Sequence, residues 1–347
     1  MSRNCATAGT SGAGLRAGRG GQRRPPHCGA AVLASARRLA SAAMLAIAAL
    51  TGCGPARITA DDVVLIPGRP ALLSASVERD VWPGWHEELK HVTVQFVLDG
   101  REVAATRTDG EGCAALATDL PDDPNAALEA VVVIGEQPAR ATATVHRWSP
   151  ARVAIAVDLD GTIADTKYGE LLKNGDGDAS PAVSGALPVL QQLAANYEIA
   201  YVTSRPRSLL VKTRRWLTEQ GFPPGPVITA ERTRDAMDPA SFKMQVLREL
   251  RHYWPTLLIG IGNRAGDAAA YGGNGMLPLL VRARKYDRIT PPAGTLWPQE
   301  WATVARFFAE QGAVLHDPAA LDAALHQVPA ERPWGQWKAD GATTQGN

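Results

Sequence analysis

Five short apolar runs, at 153–157, 199–202, 227–228, 257–261 and 279–281, constrain the second half of this 347-residue chain more than any other feature. Each run is nearly continuous instead of alternating. A strand without a polar face must be covered on both sides, as in a parallel sheet between two helical layers. Helix signals fill the gaps. Residues 185–196 carry Leu187, Leu190 and Leu193 at helical spacing, and 207–220 end at Gly221, a residue suited to a left-handed helix end. Asp238-Pro239 supplies an N-cap and a first helical residue for a helix to about Tyr253. The alternation predicts a doubly wound α/β domain over 150–328, with ligands beyond the carboxyl ends of its strands. Two amphipathic helices follow, one over 300–310 with Trp301, Val304, Phe307 and Phe308, the other opened by Asp317-Pro318. Residues 329–347 have no apolar period and read as a flexible tail.

Upstream, over 60–148, the period changes from runs to alternation. Val92, Val94, Phe96 and Leu98 share one face, and Asp99-Gly100 then marks a tight hairpin. A second turn, "TDGEG" at 108–112, and strands at 128–134 and 140–145 complete a small all-β sandwich. This segment is similar to bacterial immunoglobulin-like modules. It holds no catalytic cluster, and its partner is unknown. Trp82 and Trp85 flank Pro83-Gly84 in a loop and read as packing residues, with a carbohydrate- or membrane-facing role as the alternative.

Composition is globular, with 45% hydrophobic and 20% charged residues. A net charge of +1 provides no field for nucleic acid. Cys5, Cys28, Cys53 and Cys113 are scattered, without disulfide or zinc spacing. Arg37 and Arg38 precede the apolar stretch 39–50, which is too short to span a bilayer and reads, over 37–53, as an export signal. It ends in "LTGC", which resembles the lipobox of bacterial lipoproteins. That resemblance implies a lipid anchor on Cys53 and a place in the bacterial cell envelope, on the periplasmic side of the inner or outer membrane. Residues 1–36 are rich in Gly, Ala and Arg and read as a disordered or untranslated leader.

The chemistry gathers at the strand ends. "AIAVDLDGTIADT", 154–166, closes the first run with Asp158 and Asp160, followed by Gly161 and Thr162. Carboxylates this close repel, and a divalent cation with hard oxygen ligands, Mg²⁺, is a natural partner. Gly161 permits a tight turn whose amides can face an anion. The next strand ends in Thr203-Ser204-Arg205, hydroxyls and a guanidinium suited to phosphate. Lys243 lies near the start of its helix, and "GNRAGD", 262–267, brings Asn263 and Asp267 to the same edge. Arg264 can either contact substrate or pair with a carboxylate, as can Arg205. Asp165 reads as a turn or cap residue. "NGDGD", 174–178, fails calcium-loop spacing and reads as a flexible loop.

"DLDGT", a hydroxyl after the next strand, a lysine and "GNxxxD" together resemble the four motifs of the haloacid dehalogenase superfamily of phosphotransferases, over about 155–285. "TRRWL", "GFPPGPV", "SFK" and "GNRAGDAAAY" resemble the catalytic domain of lipin-type (LNS2) phosphatidate phosphatases. Asn263 stands where the wider superfamily usually has aspartate, as it does in lipins. The resemblance implies Asp158 as nucleophile and Asp160 as general acid and base. It implies Mg²⁺ held by Asp158, the Asp160 carbonyl, and Asn263 or Asp267. Gly161, Thr162, Thr203, Ser204, Arg205 and Lys243 would surround the phosphate. About 40 residues separate Asp160 from Thr203, and about as many separate Thr203 from Lys243, which leaves no room for a large cap. An open site on an anchored protein suits a lipid monoester such as phosphatidate. The alternatives are a broad-specificity or sugar- or nucleotide-directed phosphatase, and a non-catalytic envelope adhesion or scaffold lipoprotein.

Overall fold

The computed structural model describes residues 55–82, 85–121, 127–134, 137–171, 178–230, 235, 237–282 and 290–338. The leader, the export signal with Cys53, Pro83-Gly84, residues 172–177 and the stretch 339–347 lie outside the described residues.

Among the described residues ten strands form the N-terminal region: β1 (Ala56–Ala60), β2 (Val63–Leu65), β3 (Ala71–Trp82), β4 (Trp85–Glu88), β5 (Thr93–Leu98), β6 (Arg101–Arg107), β7 (Cys113–Thr118), β8 (Leu128–Ile134), β9 (Gln137–Ala143) and β10 (Val145–Arg147). One antiparallel sheet joins β3 to β1, β4 and β7; another runs β6-β5-β8-β9. Leu73 and Val77 from the first meet Val94, Phe96, Leu128 and Val132 from the second in a shared core. Asp99 and Gly100 both adopt positive φ, 46° and 78°, as the β5–β6 hairpin requires.

The rest is mixed α/β. Its strands are β11 (Ala154–Val157), β12 (Glu198–Pro206), β13 (Val227–Ala230), β14 (Leu257–Gly262), β15 (Leu277–Val281) and β16 (Leu296–Gln299). All pair in parallel, in the order β13-β12-β11-β14-β15-β16. The helices are α1 (Ala186–Ala194), α2 (Leu210–Gln220), α3 (Pro239–Tyr253), α4 (Ala265–Gly273), α5 (Trp301–Leu315) and α6 (Pro318–Leu325). The Asp238 side chain caps α3, accepting from Ser241 N–H at 3.3 Å, and Gly221 ends α2 at φ 78°.

The sheet is buried on both faces. Ile155, Val157, Ile259 and Leu279 pack under α1, α2, α5 and α6. The opposite face is small. Ala154, Ala156 and Ala200 lie against Leu247 of α3 and Tyr271 of α4. A side chain at Gly260 would collide with the Tyr271 ring, so glycine there lets α4 sit close to the sheet. That approach carries Asp267 to the strand ends.

The two regions belong to one unit. Asp62 joins them: its carboxylate accepts from Val227 N–H at 2.8 Å and pairs with Arg214 at 2.7 Å. Trp148 stacks edge-on against Trp254, with centroids 5.0 Å apart.

Two sequence expectations change. Strand β16 was not anticipated, and it extends the sheet to six strands. The segment after 328 is no flexible tail as far as Lys338. Trp334 is buried against Phe307, and Trp337 stacks on the same ring at 4.9 Å. Two indoles remove enough apolar surface from water to fix a segment that has no period of its own.

Candidate active site

Strand β11 lies between β12 and β14, where the strand order reverses direction. Adjacent loops diverge at such a switch point and open a crevice beyond the strand ends. Asp158 enters that crevice directly from β11.

An ammonium bridges two carboxylates there. Lys243 Nζ donates to Asp158 Oδ1 at 2.5 Å and to Asp267 Oδ1 at 2.6 Å. Thr162 Oγ1 donates to Asp158 Oδ2 at 2.8 Å. Asp267 Oδ2 accepts from the N–H groups of Asn263 and Arg264 at 3.1 and 2.9 Å, as the carboxylate of a helix's first turn. All of these side chains except Arg264 are buried. Burial pushes the Asp158 carboxyl up to about 6; Lys243 opposes the rise, and the charges of Asp267 and Asp160 add to it. For Lys243 burial acts downward, but the two carboxylates outweigh it and keep the ammonium charged.

Asp160 belongs to an adjoining cluster. Arg205 donates to it from Nε at 3.1 Å and from Nη2 at 2.8 Å. Tyr168 Oη donates to it at 2.8 Å, and Thr203 Oγ1 at 3.3 Å. Burial raises the Asp160 carboxyl, but the Arg205 guanidinium overrides this and holds it below the usual carboxylate range. Arg205 is fully buried and also donates to Asp178 at 2.9 Å, Thr213 at 3.2 Å and Thr166 at 3.2 Å. Its guanidinium is thus directed at carboxylates and hydroxyls of the protein. Ser204 lies half-buried beside it, and Arg264 is exposed at the start of α4.

Gly161 turns the loop at φ 88°, and a side chain on it would collide with the Asn263 amide. Trp301 Nε1 donates to the Thr162 carbonyl at 3.2 Å, which fixes the loop from α5. The structure therefore brings Asp158, Thr162, Lys243, Asn263 and Asp267 into one cluster and Asp160, Thr203 and Arg205 into its neighbour. Tyr168, Asp178, Thr166, Trp301 and Arg282 also belong to this edge and carry no motif signature.

Among the described residues no three His, Cys, Asp or Glu side chains are grouped to hold a metal. A mixed oxygen set is nevertheless present. Asn263 Oδ1 is a buried acceptor without a hydrogen-bond partner. Four carboxylates, those of Asp158, Asp160, Asp178 and Asp267, face two cations, Lys243 and Arg205. An unsatisfied hard oxygen in an excess of negative charge fits a small divalent cation.

The family model of the LNS2 domain of PITM 1-3 matches residues 155–278. It spans both clusters and relates this segment to the lipin-like, haloacid dehalogenase-like phosphatases. No curated protein matches the chain. Matching solved structures include titin domains Z1Z2 in complex with telethonin, 17% identical, covering 30% of this chain and 58% of that one, at a TM-score of 0.20. The CARDB domain of PF1109 from Pyrococcus furiosus is 10% identical, covering 26% of this chain and 94% of that one, at 0.19. The apo β-glucuronidase 3 of Bacteroides uniformis is 11% identical, covering 63% of this chain and 31% of that one, at 0.24. Scores this low assign no fold.

Proposed function

We propose that the protein is a Mg²⁺-dependent phosphomonoesterase acting through an aspartyl-phosphate, on phosphatidate or a similar lipid phosphate at the bacterial envelope. The observation that carries this reading is the buried Asp158 carboxylate, held between Lys243 and Thr162 at the switch point of the sheet.

Asp158 attacks phosphorus, and the ester P–O bond breaks as the new bond forms. The departing alkoxide takes a proton from Asp160. Asp160 then takes one from water, whose oxygen attacks phosphorus, releasing inorganic phosphate and restoring the Asp158 carboxylate. Arg205 aims the Asp160 carboxyl and favours its ionised form, which suits the second step. A phosphate dianion arriving beside it pushes that carboxyl up by like-charge repulsion, the direction the first step requires. Lys243 and Thr203 offer donors to the phosphoryl oxygens. Asp158, the Asp160 carbonyl, Asn263 and Asp267 would hold Mg²⁺, which supplies charge neutralisation at the phosphoryl group.

Between the nucleophile loop and α1 the described chain holds one short helix, Tyr168–Leu171, and between α2 and α3 it holds strand β13 and the helical residues Asp235 and Met237. Among the described residues none of these forms a cap, and an uncovered site would suit a headgroup presented by a membrane. An anchor on Cys53 would raise the local concentration of such a substrate. Phosphate release from phosphatidate in mixed micelles, compared with soluble monoesters, tests this. Release should require Mg²⁺, favour phosphatidate and vanish in Asp158→Asn. Equal rates on soluble monoesters would remove the lipid assignment, and absence of release from every monoester would remove the enzyme.

A further inference from the structure

The cations at the strand ends are already engaged. Lys243 bridges Asp158 and Asp267, while Arg205, without exposed surface, is shared by Asp160 and Asp178. Four carboxylates outnumber these two cations, and the Mg²⁺ proposed above would only bring the sum to zero. A cation further out would add the net positive charge that draws in a phosphate dianion.

Arg282 stands there, just past the end of β15. Its Nη1 lies 3.5 Å from the Gly161 carbonyl, so the guanidinium sits over the nucleophile loop. Its partner is Asp165, at 3.9 Å, and the two side chains are 43% and 66% exposed. An ion pair this open and this long contributes little and is readily exchanged for a better anion. A guanidinium binds phosphate with two parallel N–H donors, a closer match than the one it makes with Asp165.

The backbone supports a functional reading. Arg282 adopts φ 49°, the left-handed region, which a long L side chain seldom occupies. Its N–H donates to the Gln299 carbonyl at 2.8 Å, and Gln299 is itself left-handed, at φ 60°. The β15–β16 rim thus keeps a non-glycine residue where glycine would be easier. Such outliers gather at functional sites, where the surrounding structure enforces them.

We propose that Arg282 is the substrate-capture residue, exchanging Asp165 for the phosphate dianion of the incoming monoester at the mouth of the site. The assignment rests on the phosphomonoesterase reading. Arg282 acts on binding, and the reacting bonds are left to Asp158 and Asp160.

The full-length protein is assayed with phosphatidate in mixed micelles and with inorganic phosphate as product inhibitor, alongside Arg282→Ala, Arg282→Lys and Arg282→Gly. Loss of a charge-assisted contact should raise KM and weaken phosphate inhibition by about 10- to 100-fold in the alanine and glycine variants. The turnover number should stay within about 3-fold of the parent, and lysine should restore most of the affinity. The glycine variant accepts the backbone without strain and should melt no lower than the parent, which separates lost capture from lost folding. Unchanged KM and phosphate inhibition in the glycine variant overturns the inference, as does a fall in turnover with KM unchanged. A parent protein that releases no phosphate overturns the phosphatase reading itself, so the two failures are distinct.

Discussion

Replacing Lys243 by methionine removes the ammonium between two buried carboxylates and leaves both facing each other. Lys243 is 2% exposed, Asp158 5% and Asp267 3%, so water cannot take over the lost contacts. Breaking a buried pair in this way costs about 3–5 kcal/mol. The partners are not equivalent. Asp267 keeps two backbone N–H donors, while Asp158 keeps only the Thr162 hydroxyl among its described neutral partners. Adding Asp158→Asn to Lys243→Met removes the less satisfied charge and its repulsion with Asp267. The double variant should therefore be more stable than Lys243→Met alone, by about 1–3 kcal/mol. Urea unfolding in EDTA, followed by tryptophan fluorescence, measures it at about pH 8. A double variant less stable than Lys243→Met would refute the reasoning, because the two carboxylates would then not be coupled through Lys243.

Three other perturbations follow from single contacts. Gly161→Ala forces an L side chain into φ 88° and against Asn263, and should abolish phosphate release while far-UV circular dichroism is retained. Asp62→Ala leaves the Val227 N–H without its acceptor and takes the carboxylate from Arg214, which keeps the Ala60 carbonyl, and should cost about 1–3 kcal/mol, read as a lower thermal midpoint. His146 lies below its ordinary value of 6.5 through burial, which Arg214 reinforces and Asp62 opposes. The native state therefore holds it neutral. Its stability is fully present above 6.5 and falls as pH drops through the lowered native value, because the unfolded chain binds the proton first. His146→Phe should flatten the acid side of a stability–pH curve below 6.5.

The parallel sheet was legible because strands buried on both faces cannot hide their apolar runs: β11, β12 and β14 are among those identified from that signal alone. Strand β16 escaped because it is four residues long, contains Pro298 and is buried only at alternate positions. An edge strand needs no more than that. Trp334 and Trp337 escaped for a related reason: isolated indoles in a Gly- and Pro-containing stretch have no period to detect, yet they find the Phe307 ring. At the site, spacing located the residues but not their pairings. Thr203-Ser204-Arg205 carried a phosphate-binding signature, whereas the fold spends Arg205 on Asp160 and Asp178, 45 and 27 residues away. Asp178 closes the Gly-rich segment read as a flexible loop, and its carboxylate is buried. Such partners are set by which strand ends meet, and no local pattern encodes that.

The covalent step is open to direct test. The protein is mixed with labelled phosphatidate and Mg²⁺, quenched in acid within the first turnover, and its peptides are analysed by mass spectrometry. An acid-stable, hydroxylamine-labile phosphoryl group should appear on the peptide bearing Asp158 and be absent from Asp158→Asn. Turnover without that adduct, or with the phosphoryl group on another residue, would contradict covalent catalysis by Asp158.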